Sequence, residues 1–276
     1  MRITRPRTVA LLFPFLLLTL QANADAKHQI ESHFQNKVFG IRGFYRDNQL
    51  VYDAQGNVKG DPHAGPWTLG LIHIERVKER SNEFRLEGKR VVSIYDRKQN
   101  RFVNTVPAKA EDVEITVKLP ADQVSDSALD ALTRRIFQER VTDKDVPEYW
   151  RNFFNPNLSL AAQGTATLIP TLGSKGEPVF RLGSAGPALS EPMVIARTEP
   201  KYEETARLAK LQGTTRLEAI IDKRGIPAKI QISQPLGMGL DDAAVAAVSN
   251  WRFKPAMMNG EPVAVEVSVE VEFRLY

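Results

Sequence analysis

The side chains best equipped for chemistry are few and poorly spaced for it. The chain has four histidines, His28, His33, His63 and His73, and no cysteine. A helix brings residues i and i+4 onto one face, so His28 and His33, five apart, do not share one. No HExxH, CxxC or acidic calcium-loop pattern occurs, and the lack of cysteine excludes thiolate metal sites, disulfides and a lipid-modified cysteine. Gly237-x-Gly239 precedes a helical stretch but follows no phosphate-binding strand, and Walker and serine-elbow patterns are missing. The acidic pairs Glu111-Asp112 and Asp241-Asp242 read as a solvated edge and a helix cap. These residues predict no metal, no cofactor and no enzyme activity. The chemistry that remains is that of the backbone, the N–H and C=O groups of an unpaired sheet edge.

The last strand is the best candidate for such an edge. After Asn259-Gly260, a strong tight-turn signal, Val263, Val265, Val267, Val269, Val271, Phe273 and Leu275 alternate with Ala264, Glu266, Ser268, Glu270, Glu272 and Arg274. That pattern predicts a strand with one face on a core, and Val265, Glu266, Val267, Ser268, Val269, Glu270, Val271 and Glu272 as candidate partner-binding residues. The elements that must position it lie just upstream. A helix is expected after Pro200, with Tyr202, Ala206 and Ala209 on one stripe, Glu203 and Arg207 four apart outside it, and Gly213 as its left-handed stop. Leu217, Ala219 and Ile221 lead into an Asp222-Lys223-Arg224-Gly225 turn and a return strand to Ile232. A second helix is expected with Asp241 as N-cap and Ala244, Val245, Val248 and Trp251 as its buried stripe. Helix, strand, strand, helix, strand is most simply a three-stranded antiparallel sheet backed by two helices.

Read in order, P-K-Y-E-E-T-A-R, Q-G-T, I-D-K-R-G, L-G-M-G-L-D-D-A-A, W-R-F-K-P and N-G-E-P-V resemble the C-terminal domain of the TonB family. The pattern maps onto Pro200, Tyr202, Ala206, Arg207, Gly213, Asp222, Gly225, Leu240, Asp241, Ala244, Trp251, Phe253, Pro255, Gly260 and Pro262, and Trp251, Phe253 and Pro255 are expected to form core. The resemblance implies a periplasmic module that binds an extended receptor segment by strand addition. The connector ahead of it lacks the long Pro-Lys and Pro-Glu repeats usual in such proteins.

Upstream, short apolar runs at Val38–Ile41, 48–52, 67–77, 84–86, 91–95 and 113–119 predict a mainly antiparallel sheet, with Trp67 as a core anchor. Ser127 and Asp130 suggest a helix over 127–140, and Pro147 opens a second, aromatic one over 147–154. The fold class expected is therefore α+β: a β-rich domain over 25–160, a Gly/Pro-rich linker over 161–196 with room for one hairpin of Thr165 to Leu172 and Pro178 to Leu182, and the TonB-like domain over 197–276, which should fold alone.

Arg2, Arg5 and Arg7 precede a 12-residue run, Val9 to Leu20, broken only by Pro14 and Thr19, and Ala22-Asn23-Ala24 follows. This reads as an export signal over 1–24, since a spanning helix needs roughly 20 apolar residues; the alternative is an uncleaved anchor. Without those three arginines the 37 basic side chains become 34 against 33 acidic ones. From Arg197 onward, 11 basic and 11 acidic side chains cancel. Neither balance calls for nucleic acid. Three readings follow: a periplasmic binding protein for an envelope or outer-membrane protein, an inner-membrane-anchored TonB-type transducer, and a cell-wall enzyme carrying a TonB-like module. A homodimer or the N-terminal domain is the alternative occupant of the last strand's edge.

Overall fold

A computed structural model describes residues 25–80, 82–138, 140–158, 171–172, 178–182 and 189–275. The expected export signal and much of the connector lie outside them. The chain is α+β. Among the described residues no helix is long and apolar enough to cross a membrane.

The N-terminal part opens with a helix, α1 (residues 25–34), where only strands were expected. Ala26, Ile30 and Phe34, spaced four apart, are all buried, so one apolar stripe accounts for it. Seven strands follow: β1 (Lys37–Ile41), β2 (Gln49–Asp53), β3 (Leu71–Arg80), β4 (Glu83–Asp96), β5 (Arg101–Thr105), β6 (Asp112–Lys118) and β7 (Phe137–Gln138). Their order is β2-β6-β4-β3-β1-β7, with β5 on β4, and every pairing is antiparallel except β2 with β6. Helix α2 (Asp126–Ile136) is capped by Ser125, whose hydroxyl accepts from the Ala128 amide, two residues before the expected Ser127. It stops at Ile136, short of the expected residue 140, because Phe137 and Gln138 leave the helix to pair with Ile41 and Gly40. α1 and α2 bury Phe34, Leu129, Leu132 and Ile136 with Phe84, Leu86 and Ile115 of the sheet.

Next come α3 (Glu148–Phe154), opened by Pro147, then β8 (Thr171–Leu172), β9 (Pro178–Arg181) and β10 (Met193–Ala196). The C-terminal part contains α4 (Glu204–Leu208), β11 (Gly213–Ile221), β12 (Pro227–Gln234), α5 (Leu240–Ser249), β13 (Arg252–Lys254), β14 (Ala256–Met258) and β15 (Glu261–Phe273). Its sheet runs β12-β11-β15-β9-β8, with β14 also on β15, while β10 pairs with β13. Two expected caps are corrected. Gly213 does not stop α4; Lys210 takes the left-handed conformation at φ 54 and Gly213 begins β11. Asp241 is not the N-cap of α5, since Gly239 at φ 74 holds that place and Asp241 lies inside the first turn, wholly buried.

The core of this C-terminal sheet is continuous with the preceding part of the chain. Leu217, Ile221, Leu240, Val248 and Trp251 share one apolar cluster with Trp67, Val92, Val146 and Trp150. β4 runs between the two cores, with Phe84 and Leu86 in the first and Val92 in the second. Gly237 marks the closest approach: a Cβ there would lie 2.4 Å from the Ser93 carbonyl oxygen, at φ 102. Across this seam Tyr95 donates its amide to Leu236, Met238 to Ser93, and Gly239 to the Thr68 hydroxyl at 2.9 Å.

Candidate strand-accepting edge

β15 has two different flanks. On one, β11 pairs with it continuously from Gly213↔Phe273 to Ile221↔Val265. On the other, β14 pairs with Glu261–Val263 and β9 with Ala264, Val265 and Glu266. From Val267 to Phe273, no strand among the described residues pairs with that second flank. Beside it runs a groove formed by two adjoining hollows of about 660 Å³ and 570 Å³, which share Arg197, Trp251 and Glu270. Val194, Arg197 and Glu199 line it from the chain segment leading out of β10.

The sequence explains how the edge is held. The strand is stiff because Val265, Val267, Val269, Val271 and Phe273 alternate inward and are all buried. Trp251, 3% exposed, donates its indole N–H to the Thr198 carbonyl at 2.8 Å, and the Arg197 guanidinium lies 4.4 Å above its ring. Tyr202 donates its hydroxyl to Leu211 and sets its ring edge-on to Phe273 at 5.5 Å. Asp222 accepts from the amides of Arg224 and Ile226, fixing the β11–β12 turn, and a Cβ on Gly225 would lie 1.7 Å from the Phe253 carbonyl oxygen. Leu240, Ala206, Ala244 and Phe253 are buried, Arg207 pairs with Glu204, and Pro255 joins β13 to β14. Asn259 and Gly260, at φ 51 and 87, make the turn into β15.

Outward-facing acids on β15 already hold arginines. Glu266 meets Arg181 at 2.8 Å, Glu270 meets Arg216 at 2.6 Å, and Glu272 meets Arg274 at 2.5 Å. Ser268 lies opposite Glu218 in the ladder, where burial raises the Glu218 carboxyl above its ordinary pKa, the nearby Glu266 adds to this, and hydrogen bonds from Ser233 and Ser268 oppose it.

The Asp241-Asp242 pair is neither solvated nor a simple cap. Asp241 accepts from the amides of Leu236 and Gly237 at 2.8 and 2.7 Å and from the Thr215 hydroxyl at 2.7 Å. Burial pushes its carboxyl up to about 7 in spite of those donors. Asp242 accepts from the Tyr149 hydroxyl at 2.9 Å and the Trp150 indole at 3.4 Å, and burial pushes it up to about 6. Sequence reasoning missed this because the partners lie 93 and 92 residues apart. The histidines are dispersed: His33 bonds Thr133 at 2.8 Å, His63 bonds Asp47 at 3.0 Å, and among the described residues no group of three candidate ligands converges.

Among the described residues the C-terminal sheet therefore leaves β15 without a strand partner on one flank over Val267–Phe273, beside a groove. Residues 198–275 match the family model for the Gram-negative bacterial TonB protein C-terminal. Protein TonB of Vibrio cholerae is 32% identical over 107 residues, covering 38% of this chain and 42% of that protein. Protein tonB2 of Pseudomonas aeruginosa is 35% identical over 77 residues, 28% of each. The chain thus spans less than half the length of these curated relatives. The solution structure of the Pseudomonas aeruginosa TonB C-terminal domain is 19% identical, covering 34% of this chain and 92% of its own, at a TM-score of 0.26, too low to bear on the fold.

Proposed function

We propose that this chain is a periplasm-facing envelope protein that binds an extended segment of another envelope protein, an outer-membrane receptor, by strand addition to β15. The observation that carries the reading is the flank over Val267–Phe273, which has no strand partner among the described residues, with the groove beside it. Seven residues match the usual length of a strand, and each added residue pair supplies main-chain hydrogen bonds. The TonB C-terminal match over 198–275 supports an envelope partner. The domain division expected from sequence, with 25–160 as an N-terminal unit and 197–276 as the binding unit, belongs to this proposal.

The test is crosslinking in intact cells from a photoreactive residue at Ser268, with the captured protein identified by mass spectrometry. The expected product is an outer-membrane protein joined through an extended segment. It should vanish when the neighbouring backbone is blocked by Glu270→Pro, in a variant shown to be folded, and persist in Glu270→Ala. If the folded proline variant captured the same protein, recognition through the β15 backbone would be abandoned. Intact mass of the mature chain separates the exported protein, starting near Asp25, from an anchored transducer that keeps residues 1–24.

A further inference from the structure

We infer that β9 is a built-in occupant of the β15 edge, and that its residues display the side-chain code the edge accepts: an aliphatic residue followed two positions later by a basic one. This rests on the strand-addition reading and adds the chemistry of the partner segment.

β9 differs from the rest of its sheet. β11 and β14 meet β15 antiparallel, whereas β9 runs parallel to it, through Ala264↔Val179, Val265↔Phe180 and Glu266↔Arg181. Among the described residues its pairing ends at Glu266, where the free flank begins. Val179 is 3% exposed, but it packs in a separate cluster with Ile220 and Ala264 and takes no part in the large core under the sheet. That cluster explains why Ala264, on the outward register of the strand, is buried. Two residues on, Arg181 places its Nε 2.8 Å from Glu266 Oε2, and both side chains are mostly covered, at 29% and 13% exposure.

These two contacts are what a bound segment would need, with an aliphatic side chain in the Ile220–Ala264 hollow and a cation on Glu266. Strand addition gives affinity through the backbone and specificity through alternate side chains, and positions 179 and 181 are alternate side chains of this kind. Glu266 is the selective element. A basic residue neutralises it, whereas an acidic one sets two carboxylates together in a partly covered site, which corresponds to a loss of about tenfold or more in affinity. A receptor segment carrying the same pair of residues displaces β9 and then extends along Val267–Phe273. Until it arrives, β9 keeps this part of the edge from indiscriminate pairing.

The test uses the full chain with Val179→Asp and Arg181→Glu, and hydrogen exchange at the amides of residues 264–267. A thermal transition close to that of the unmodified chain establishes that the main cores are intact. The expected result is loss of amide protection in the variant. A synthetic peptide of the chain's own residues 171–182 should restore it, and the same peptide with Arg181→Glu should bind at least about tenfold more weakly. Unchanged protection in the variant would show that β9 does not hold this edge, leaving strand addition at Val267–Phe273 untouched. Equal restoration by both peptides would remove the basic code and keep strand addition. Labile amides that neither peptide protects would overturn strand addition itself.

Discussion

The outer flank of β12 and the free flank of β15 are managed in opposite ways in the C-terminal sheet. At the β12 edge, helix α3 lies along the strand and the Asn152 side-chain amide donates to the Ile232 carbonyl at 2.8 Å. At the β15 edge, the flank beyond Glu266 faces a groove, with Glu270 and Glu272 projecting from the strand. A sheet edge is a template for any extended chain, so covering one edge and charging the other limits strand addition to a single side. The cover on β12 comes from residues outside the TonB C-terminal match at 198–275. The preceding part of the chain therefore contributes directly to which edge is available.

Removing the anchor of the covered edge should have the largest effect. Trp150 is fully buried, with Trp67 and Phe102 edge-on at 5.4 and 6.0 Å. Trp150→Ala should cost about 3–5 kcal/mol of stability, measured by urea unfolding of the full chain. A loss under about 1 kcal/mol would mean that α3 is not fixed on the C-terminal sheet. Asn152→Ala is a gentler version of the same break. It leaves the Ile232 carbonyl without its side-chain donor and should cost about 1–2 kcal/mol, with faster hydrogen exchange along β12 and none along β15.

The seam is also expected to respond to pH. Asp242 has an ordinary carboxyl pKa in the unfolded chain, and burial raises it to about 6 in the folded one. The folded state then binds a proton that the unfolded state has already lost. This contribution is complete below about pH 4 and is lost as pH rises through about 6. The Asp241 contribution has the same sign and is lost through about 7. Asp53 acts in the opposite sense, since hydrogen bonding to Lys59 and the Asn57 amide holds its carboxyl well below the usual range. The informative quantity is therefore the difference between Asp242→Asn and the unmodified chain. The variant should be more stable at pH 8 by about 2–3 kcal/mol, and that advantage should vanish by pH 4. A difference independent of pH would mean that Asp242 is ionised without penalty.

Much of this arrangement was legible one element at a time. Alternation over Val263–Phe273 identified the face that is buried, and Asn259-Gly260 identified its turn, because period and positive φ are local properties. Ala244, Val245 and Val248 are likewise buried on α5, whereas Trp251, expected on the same helix, is buried just past its end at Ser249. Periodicity tells which face is buried and not what buries it. Nothing local links Tyr149 and Trp150 to Asp242, or Thr68 to Gly239, so the shared core was invisible. The cap of α5 was misread because Asp241-Asp242 satisfies a local capping rule, whereas the burial of Asp241 depends on Thr215, on another element. β9 was legible as the second arm of a hairpin in the connector, and β8 does pair with it, but its parallel pairing with β15 depends on a strand more than 80 residues away and was not legible.

The smallest expected change in stability carries the sharpest contrast between the edges. Glu270 and Glu272 are half-exposed and pair with Arg216 and Arg274 at the surface, so replacing both with valine should alter unfolding by no more than about 0.5–1 kcal/mol. The same change removes two charges from an unpaired flank beside a groove and leaves an aliphatic strand with high sheet propensity. The doubly substituted chain should therefore self-associate at concentrations where the unmodified chain is monomeric in sedimentation. Lys229→Val, on β12, provides the control: it also removes a charge from an edge strand, but α3 lies along that edge. It should leave the sedimentation profile unchanged. Association in both variants would mean that loss of charge alone is responsible. Association only in the β15 variant would locate the accessible backbone at Val267–Phe273, and Asn152→Ala added to Lys229→Val should then make the second edge adhesive too.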